Sequence, residues 1–175
     1  MNIGMLKTPW TAVCLLLAAT LALPSQASTQ RFKPGDDTIA EIAVTDGNFN
    51  TLVAALSCTN LVGAVSDPEA ELTVFAPTDS AFAHAGLDAT NICTTFDTQT
   101  LTTILLYHVV GERRPSPSGI NGRNKSIEML AGGSIYPEGQ RSLAVDANDS
   151  SVNIVIPDIL ASNGIIHVID FVLLP

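Results

Sequence analysis

A chain of 175 residues has room for one ordinary domain and a leader, not for two domains with separate cores. With 46% hydrophobic and only 14% charged residues, it is not an intrinsically disordered chain. Its 8 Lys+Arg against 17 Asp+Glu leave a formal charge of −9, which repels phosphate backbones and anionic headgroups, so nucleic acid is excluded as a partner.

Residues 1–27 read as a secretory signal peptide: Lys7 with no acid, an apolar run from Trp10 to Leu23, then Pro24-Ser25-Gln26-Ala27 with small residues placed for cleavage after Ala27. The run falls short of the ~20 residues that cross a bilayer, so an uncleaved anchor is the weaker reading. Cys14 lies inside this run and is not read as a lipidation site. Further on, Ile154 to Leu174 is apolar but interrupted by Asp158, Ser162-Asn163-Gly164, His167 and Asp170, so no span is expected there. The expected product is soluble, secreted or periplasmic, and has lost the only Trp.

Cleavage leaves Cys58 and Cys93, an even count in a chain sent to an oxidising compartment, and a disulfide between them is the first expectation. Closing that loop is worth roughly 4 kcal/mol on the chain-entropy model. A metal site or a thiol nucleophile lacks both CxxC spacing and a nearby base.

Residues 28–36 read as a short polar arm, and the domain proper as 37–175. Ile39, Ile42 and Ala43 have helical spacing behind Thr38 or Asp37 as a cap. After the Asp46-Gly47 break, Phe49, Leu52, Val53 and Leu56 form one apolar face of a second helix, which Leu61, Val62 and Val65 extend toward Asp67-Pro68. Leu72 to Ala76 is a β-rich run stopped by Pro77, and Thr78 caps a short helix from Asp79 to Ala85. Asp97 to His108 is helical, with Leu101, Ile104, Leu105 and His108 on one side, and Val109-Val110 begins a strand running toward Arg114.

Pro115 to Lys125 is an exposed loop. Strand signals then dominate: Ile127 to Leu130, Ser134 to Tyr136, Ser142 to Val145, Val152 to Ile156 and Ile165 to Leu173, with Asn163-Gly164 as a hairpin cue. Helices first and strands last make this an α+β chain rather than a βαβ alternation.

Three segments resemble the fasciclin domain family. Thr73-Val74-Phe75-Ala76-Pro77-Thr78-Asp79-Ser80-Ala81-Phe82 looks like its first homology box, and Leu106-Tyr107-His108-Val109-Val110 is similar to its Tyr-His motif. Ala161 to Asp170, followed by Val172-Leu173-Leu174-Pro175, is close to its terminal box. The resemblance runs from about Asp37 to Pro175. It implies a β-wedge of two sheets with helices mostly from the N-terminal half, and a role in adhesion or matrix interaction. A single domain puts multivalent bridging between cells in doubt, because avidity needs linked copies.

Each candidate has a structural and a functional reading. Thr78 and Asp79 offer a hydroxyl and a carboxylate to a ligand, but they also begin a helix, and capping is the stronger reading. The resemblance links Tyr107-His108 to receptor binding, whereas His108 continues an apolar helix face. A buried neutral imidazole bonded to backbone or to the Thr78/Asp79 region is the stronger reading there. His84, His108 and His167 lack metal-site spacing, and Asp146 to Ser150 lacks the Gly and Glu of a calcium loop, so no metal and no cofactor are expected. No nucleophile elbow, paired carboxylates or phosphate-cradling Gly loop appears, so no enzyme is expected. Asn124-Lys125-Ser126 and Asn148-Asp149-Ser150 are glycosylation sequons.

The leading expectation is an interaction module, monomeric by preference, that meets an extracellular or envelope protein or polysaccharide. Arg113, Arg114, Arg123 and Lys125 form a candidate basic patch on an otherwise acidic chain, against the alternative of a solvated loop. A small-molecule or glycan binder is the second reading and a hydrolase the third. A pocket of several hundred Å³ favours the binder.

Overall fold

The computed structural model describes residues 35–116, 126–137, 142–145 and 150–175. The leader, most of the polar arm, Arg123, Lys125 and the sequon asparagines Asn124 and Asn148 lie outside the described residues.

Six helices are described, five of them ahead of residue 96. Helix α1 (Ile39–Asp46) starts in a capping box: Glu41 N–H donates to Thr38 Oγ1 at 3.4 Å, and Thr38 N–H donates to Glu41 Oε2 at 2.8 Å. It ends at Gly47, whose φ of 78° is the left-handed turn that glycine takes without penalty. Helix α2 (Asn50–Cys58) does not run on through Val65 as its apolar spacing implies. Asn60 at φ 59° breaks the chain, and Val62–Ser66 forms a separate helix, α3. Helix α4 (Asp79–His84) follows the first strand; α5 (Ile92–Thr95) is one turn long and carries no periodicity that a sequence reading detects. Helix α6 (Thr98–Leu106) is capped by Asp97, which accepts from Gln99 N–H and Thr100 N–H at 3.0 Å each.

The strands are β1 (Leu72–Pro77), β2 (Val109–Val110), β3 (Ile127–Glu128), β4 (Ser134–Pro137), β5 (Ser142–Val145), β6 (Ser150–Ala161) and β7 (Gly164–Ile169). The strand expected to run from Val109 toward Arg114 stops after two residues. The final run leaves the sheet at Ile169 rather than Leu173.

Two sheets share β6, in the continuous order β2-β1-β7-β6-β5-β4-β3. The register of β6 against β7 shifts between Ile154 and Ile156 and again between Ile156 and Ile159. Asp158 lies in the second shift at φ 59°. All pairs are antiparallel except β1 with β7, which run parallel from Leu72↔Gly164 to Pro77↔Ile169.

That parallel pair is buried on both faces, so its residues divide between two cores at period two. Val74, Ala76, Ile166 and Val168 pack among the helices with Leu52, Leu101 and Ile104. Phe75 and Ile169 point the other way, against Tyr107, Ile127, Ile135 and Leu173 between the sheets. The α+β wedge expected of the chain is therefore organised around one β1/β7 seam.

Candidate functional site

Thr78 and Asp79, where β1 gives way to α4, hold helices in place. Thr78 Oγ1 accepts from Ala81 N–H at 3.2 Å and caps α4. Asp79 does not serve its own helix. Its Oδ1 accepts from Thr51 N–H at 2.7 Å, and its Oδ2 from Asn50 N–H at 3.2 Å and Asn50 Nδ2 at 2.9 Å. Helix α2 has no cap of its own, because Phe49 fills that position, and Asp79 supplies the missing acceptor from 28 residues away. Burial pulls the Asp79 pKa upward, but the bonds from Thr51 and Asn50 outweigh it and hold the carboxyl below its ordinary range.

Tyr107 and His108 are each 2% exposed and face different cores. Tyr107 packs between the sheets, where Gly133 meets its ring so closely that a Cβ would sit 2.9 Å from Tyr107 Cε2. His108 points among the helices. Its Nε2 accepts from Leu173 N–H at 2.9 Å, which places the proton on Nδ1, donated to Ile104 O at 2.7 Å. Burial lowers its pKa to about 4, against a weaker upward pull from the Ile104 carbonyl, so the ring is neutral at physiological pH.

Ser116, Asp158 and His167 come together in space, yet not as a hydrolytic triad. Ser116 donates both its N–H, at 2.8 Å, and its hydroxyl to the Asp158 carboxylate. His167 accepts from Asp158 N–H at 3.2 Å through Nδ1 and donates from Nε2 to Arg114 O at 2.9 Å. Both imidazole nitrogens are spent on backbone, so His167 does not face the Ser116 hydroxyl as a base. His84 stacks on Phe171 with ring centroids 5.5 Å apart. Among the described residues no group of three or more His, Cys, Asp or Glu is placed to hold a metal, and no helix is long and apolar enough to cross a membrane.

Of the basic cluster, Arg114 pairs with Glu112 through its guanidinium and donates its N–H to Thr73 Oγ1 at 2.8 Å. Arg113 donates to Ser162 O. Cys58 and Cys93 form a disulfide with Cα atoms 6.0 Å apart, tying the end of α2 to α5.

Asn163 reads as a turn residue in the sequence but is fully buried and joins three elements. Its Oδ1 accepts from Ile39 N–H, and its Nδ2 donates to Val65 O and Asp67 O, each at 2.9 Å. Its partners lie 124 and about a hundred positions earlier, beyond any local signal.

An apolar cavity of about 210 Å³ lies behind His108, bounded by α2, α4, α5, α6 and the C-terminal segment. The spacing of Leu101, Ile104 and Leu105 identified this helix face. The void behind them depends on how little the two short helices α4 and α5 fill.

Residues 47–175 match the fasciclin domain family model. An uncharacterized protein of Synechocystis sp. is 39% identical across 78% of this chain and 96% of its own length. The immunogenic protein MPB70 of Mycobacterium bovis is 32% identical across 79% of this chain and 69% of its own. The transforming growth factor-beta-induced protein ig-h3 of Sus scrofa is 33% identical across 81% of this chain but 20% of its own. In fold, the chain superposes on a FAS1 domain pair from the insect cell adhesion molecule Fasciclin I with a TM-score of 0.65 at 20% identity, covering 79% of this chain and about half, 51%, of that one. The sheet pair built on the β1/β7 seam and the boxes at Thr73–Phe82 and Ala161–Asp170 thus have one explanation: the chain belongs to the fasciclin domain family.

Proposed function

We infer that this is an exported, non-catalytic interaction module that adheres through its outer surface to an extracellular or envelope protein or polysaccharide. The observation that carries this reading is the family membership over residues 47–175, together with likeness in fold to a cell adhesion molecule. The internal chemistry supports it. Thr78, Asp79, His108 and His167 have their polar atoms committed to caps and backbone, which leaves them no part in turnover. A glycan pocket is disfavoured, because the cavity offers a sugar no free hydrogen-bonding side chain.

The contact region argued from charge is the basic cluster. Arg113 is anchored on the β6–β7 turn through Ser162 O, and Arg123 and Lys125 follow in the sequence. Such a cluster on an acidic molecule attracts an acidic partner. Pull-down with the disulfide-bonded protein from the host envelope tests the module, and reversing the charges of Arg123 and Lys125 tests the patch. Attachment is expected to fall severalfold in the charge-reversed variant and to weaken with salt. Unchanged attachment would remove the patch, and no capture at all would remove the module.

A further inference from the structure

The cavity behind His108 raises a question independent of adhesion: what fills about 210 Å³ bounded by fully or nearly buried side chains such as Leu52, Ile92 and Leu101? Its one polar lining side chain, His108, has both ring nitrogens bonded to backbone. Ordered water needs two to four polar partners in such a space and finds none free on these side chains. A charged or hydroxyl-rich ligand meets the same obstacle and loses its hydration on entry.

An uncharged apolar molecule loses nothing and gains contacts on every side. The volume lies between the ~150 Å³ apolar cavity that takes benzene and the ~300 Å³ lower end of drug-sized sites. It therefore suits one substituted ring or a short alkyl chain. The mouth suits such a guest as well: Ala85 is exposed beside Phe171 and Leu174, which are 50% and 58% exposed, and His84 stacks on the Phe171 ring.

We propose that this cavity is a binding site for a small uncharged apolar molecule of single-ring or short-alkyl size, entering between Ala85 and Phe171.

The test titrates the disulfide-bonded protein with toluene in one arm and 1-hexanol in the other, followed by methyl NMR. The expected result is saturable movement of the Leu52, Ile92, Leu101 and Ile104 methyl signals, with the sheet-side Ile127 and Ile135 signals unmoved. Saturation in the toluene arm alone assigns a ring-shaped guest, and in the 1-hexanol arm alone an alkyl chain. Ala85→Trp blocks the mouth from an exposed position and Ile104→Phe fills the interior; each is expected to weaken binding at least tenfold while the unliganded spectrum stays folded. If one variant fails to fold, the other decides. No saturable shift in either arm up to the solubility of the probe overturns the proposal, as does binding that both folded variants retain at parental strength.

Discussion

His108 Nε2 accepts the backbone N–H of Leu173 at 2.9 Å, across 65 positions of sequence, and so fastens the end of α6 to the last residues of the chain. The same ring donates to Ile104 O, leaving neither nitrogen for an outside partner. Replacing it by Ala strands the buried Leu173 amide, whereas Ile104 O keeps the Tyr107 N–H at 3.1 Å. His108→Ala is therefore expected to lower unfolding free energy by about 1–3 kcal/mol. Urea denaturation checks this, and an unchanged melting temperature would refute it.

The neutral ring also makes a prediction about acid. Between pH 6.5 and about 4 the unfolded chain takes up a proton on His108 while the folded chain does not, so stability falls as pH falls through that window. At roughly 1.4 kcal/mol per pH unit, the window carries about 3 kcal/mol. His167 adds to the loss with the same sign: burial lowers its pKa, against upward pulls from the Arg114 carbonyl and the Asp158 carboxylate. Denaturation curves at stepped pH are expected to show the slope, and His108→Ala is expected to flatten most of it. An equal slope in parent and variant would assign the acid sensitivity elsewhere.

Local signals in the sequence place most elements but not α5 or the break between α2 and α3, and long-range relationships leave no local signal. Thr38, Thr78 and Asp97 announce helix starts because a cap acts within three residues. The β-rich runs of β1 and β7 are equally legible, although which residue meets which core is not. Asp79 reads as part of its own helix because nothing local reveals that α2 lacks a cap. Asn163-Gly164 reads as a tight hairpin, whereas the turn residues are Ser162 and Asn163, and Gly164 already pairs with Ala161 at the start of β7. The cavity was hidden for a different reason: it is set by what fails to pack, which no residue spells.

Gly164 illustrates how such a position behaves under substitution. Its φ is not in the left-handed region, so its constraint is space. A Cβ there would lie 2.3 Å from Leu72 O and 2.7 Å from Ile39 Cδ1. The first contact is backbone at the parallel β1/β7 seam and cannot swing aside. Gly164→Ala is expected to cost about 3 kcal/mol or more, at the upper end of overpacking effects. Gly63→Ala, where a Cβ meets nothing within 4 Å, is the control and is expected to be neutral or slightly stabilising. Equal melting temperatures for the two variants would contradict the seam's tightness.

The Cys58–Cys93 bond closes a loop with a separation of 35 positions and ties α5, one turn long, to α2. A helix of four residues has little stability of its own, so its place against α2 depends on this tether. Reduction is expected to lower unfolding free energy by about 2–4 kcal/mol, and Cys58→Ser with Cys93→Ser to reproduce the loss without reductant. Thermal scans with and without a phosphine reductant make the comparison. If reductant shifts the double variant as much as the parent, the effect does not come from this bond.

Asp79 separates capping from charge. Asp79→Ala removes the acceptor for Thr51 N–H and Asn50 N–H together and is expected to cost about 1–2 kcal/mol, the upper range for a lost N-cap. Asp79→Asn keeps one acceptor oxygen but gives up the negative charge that favours a helix N-terminus, so it is expected to fall between parent and Ala. The folded carboxyl titrates below its unfolded value, with burial opposing the shift and the Thr51 and Asn50 bonds producing it. Its contribution is therefore complete above the unfolded pKa of about 3.8 and is lost as pH falls through the lower folded value. Below that value the Asp79→Asn variant and the parent are expected to converge in stability. A gap between them that persists undiminished in strong acid would mean that Asp79 acts through shape alone.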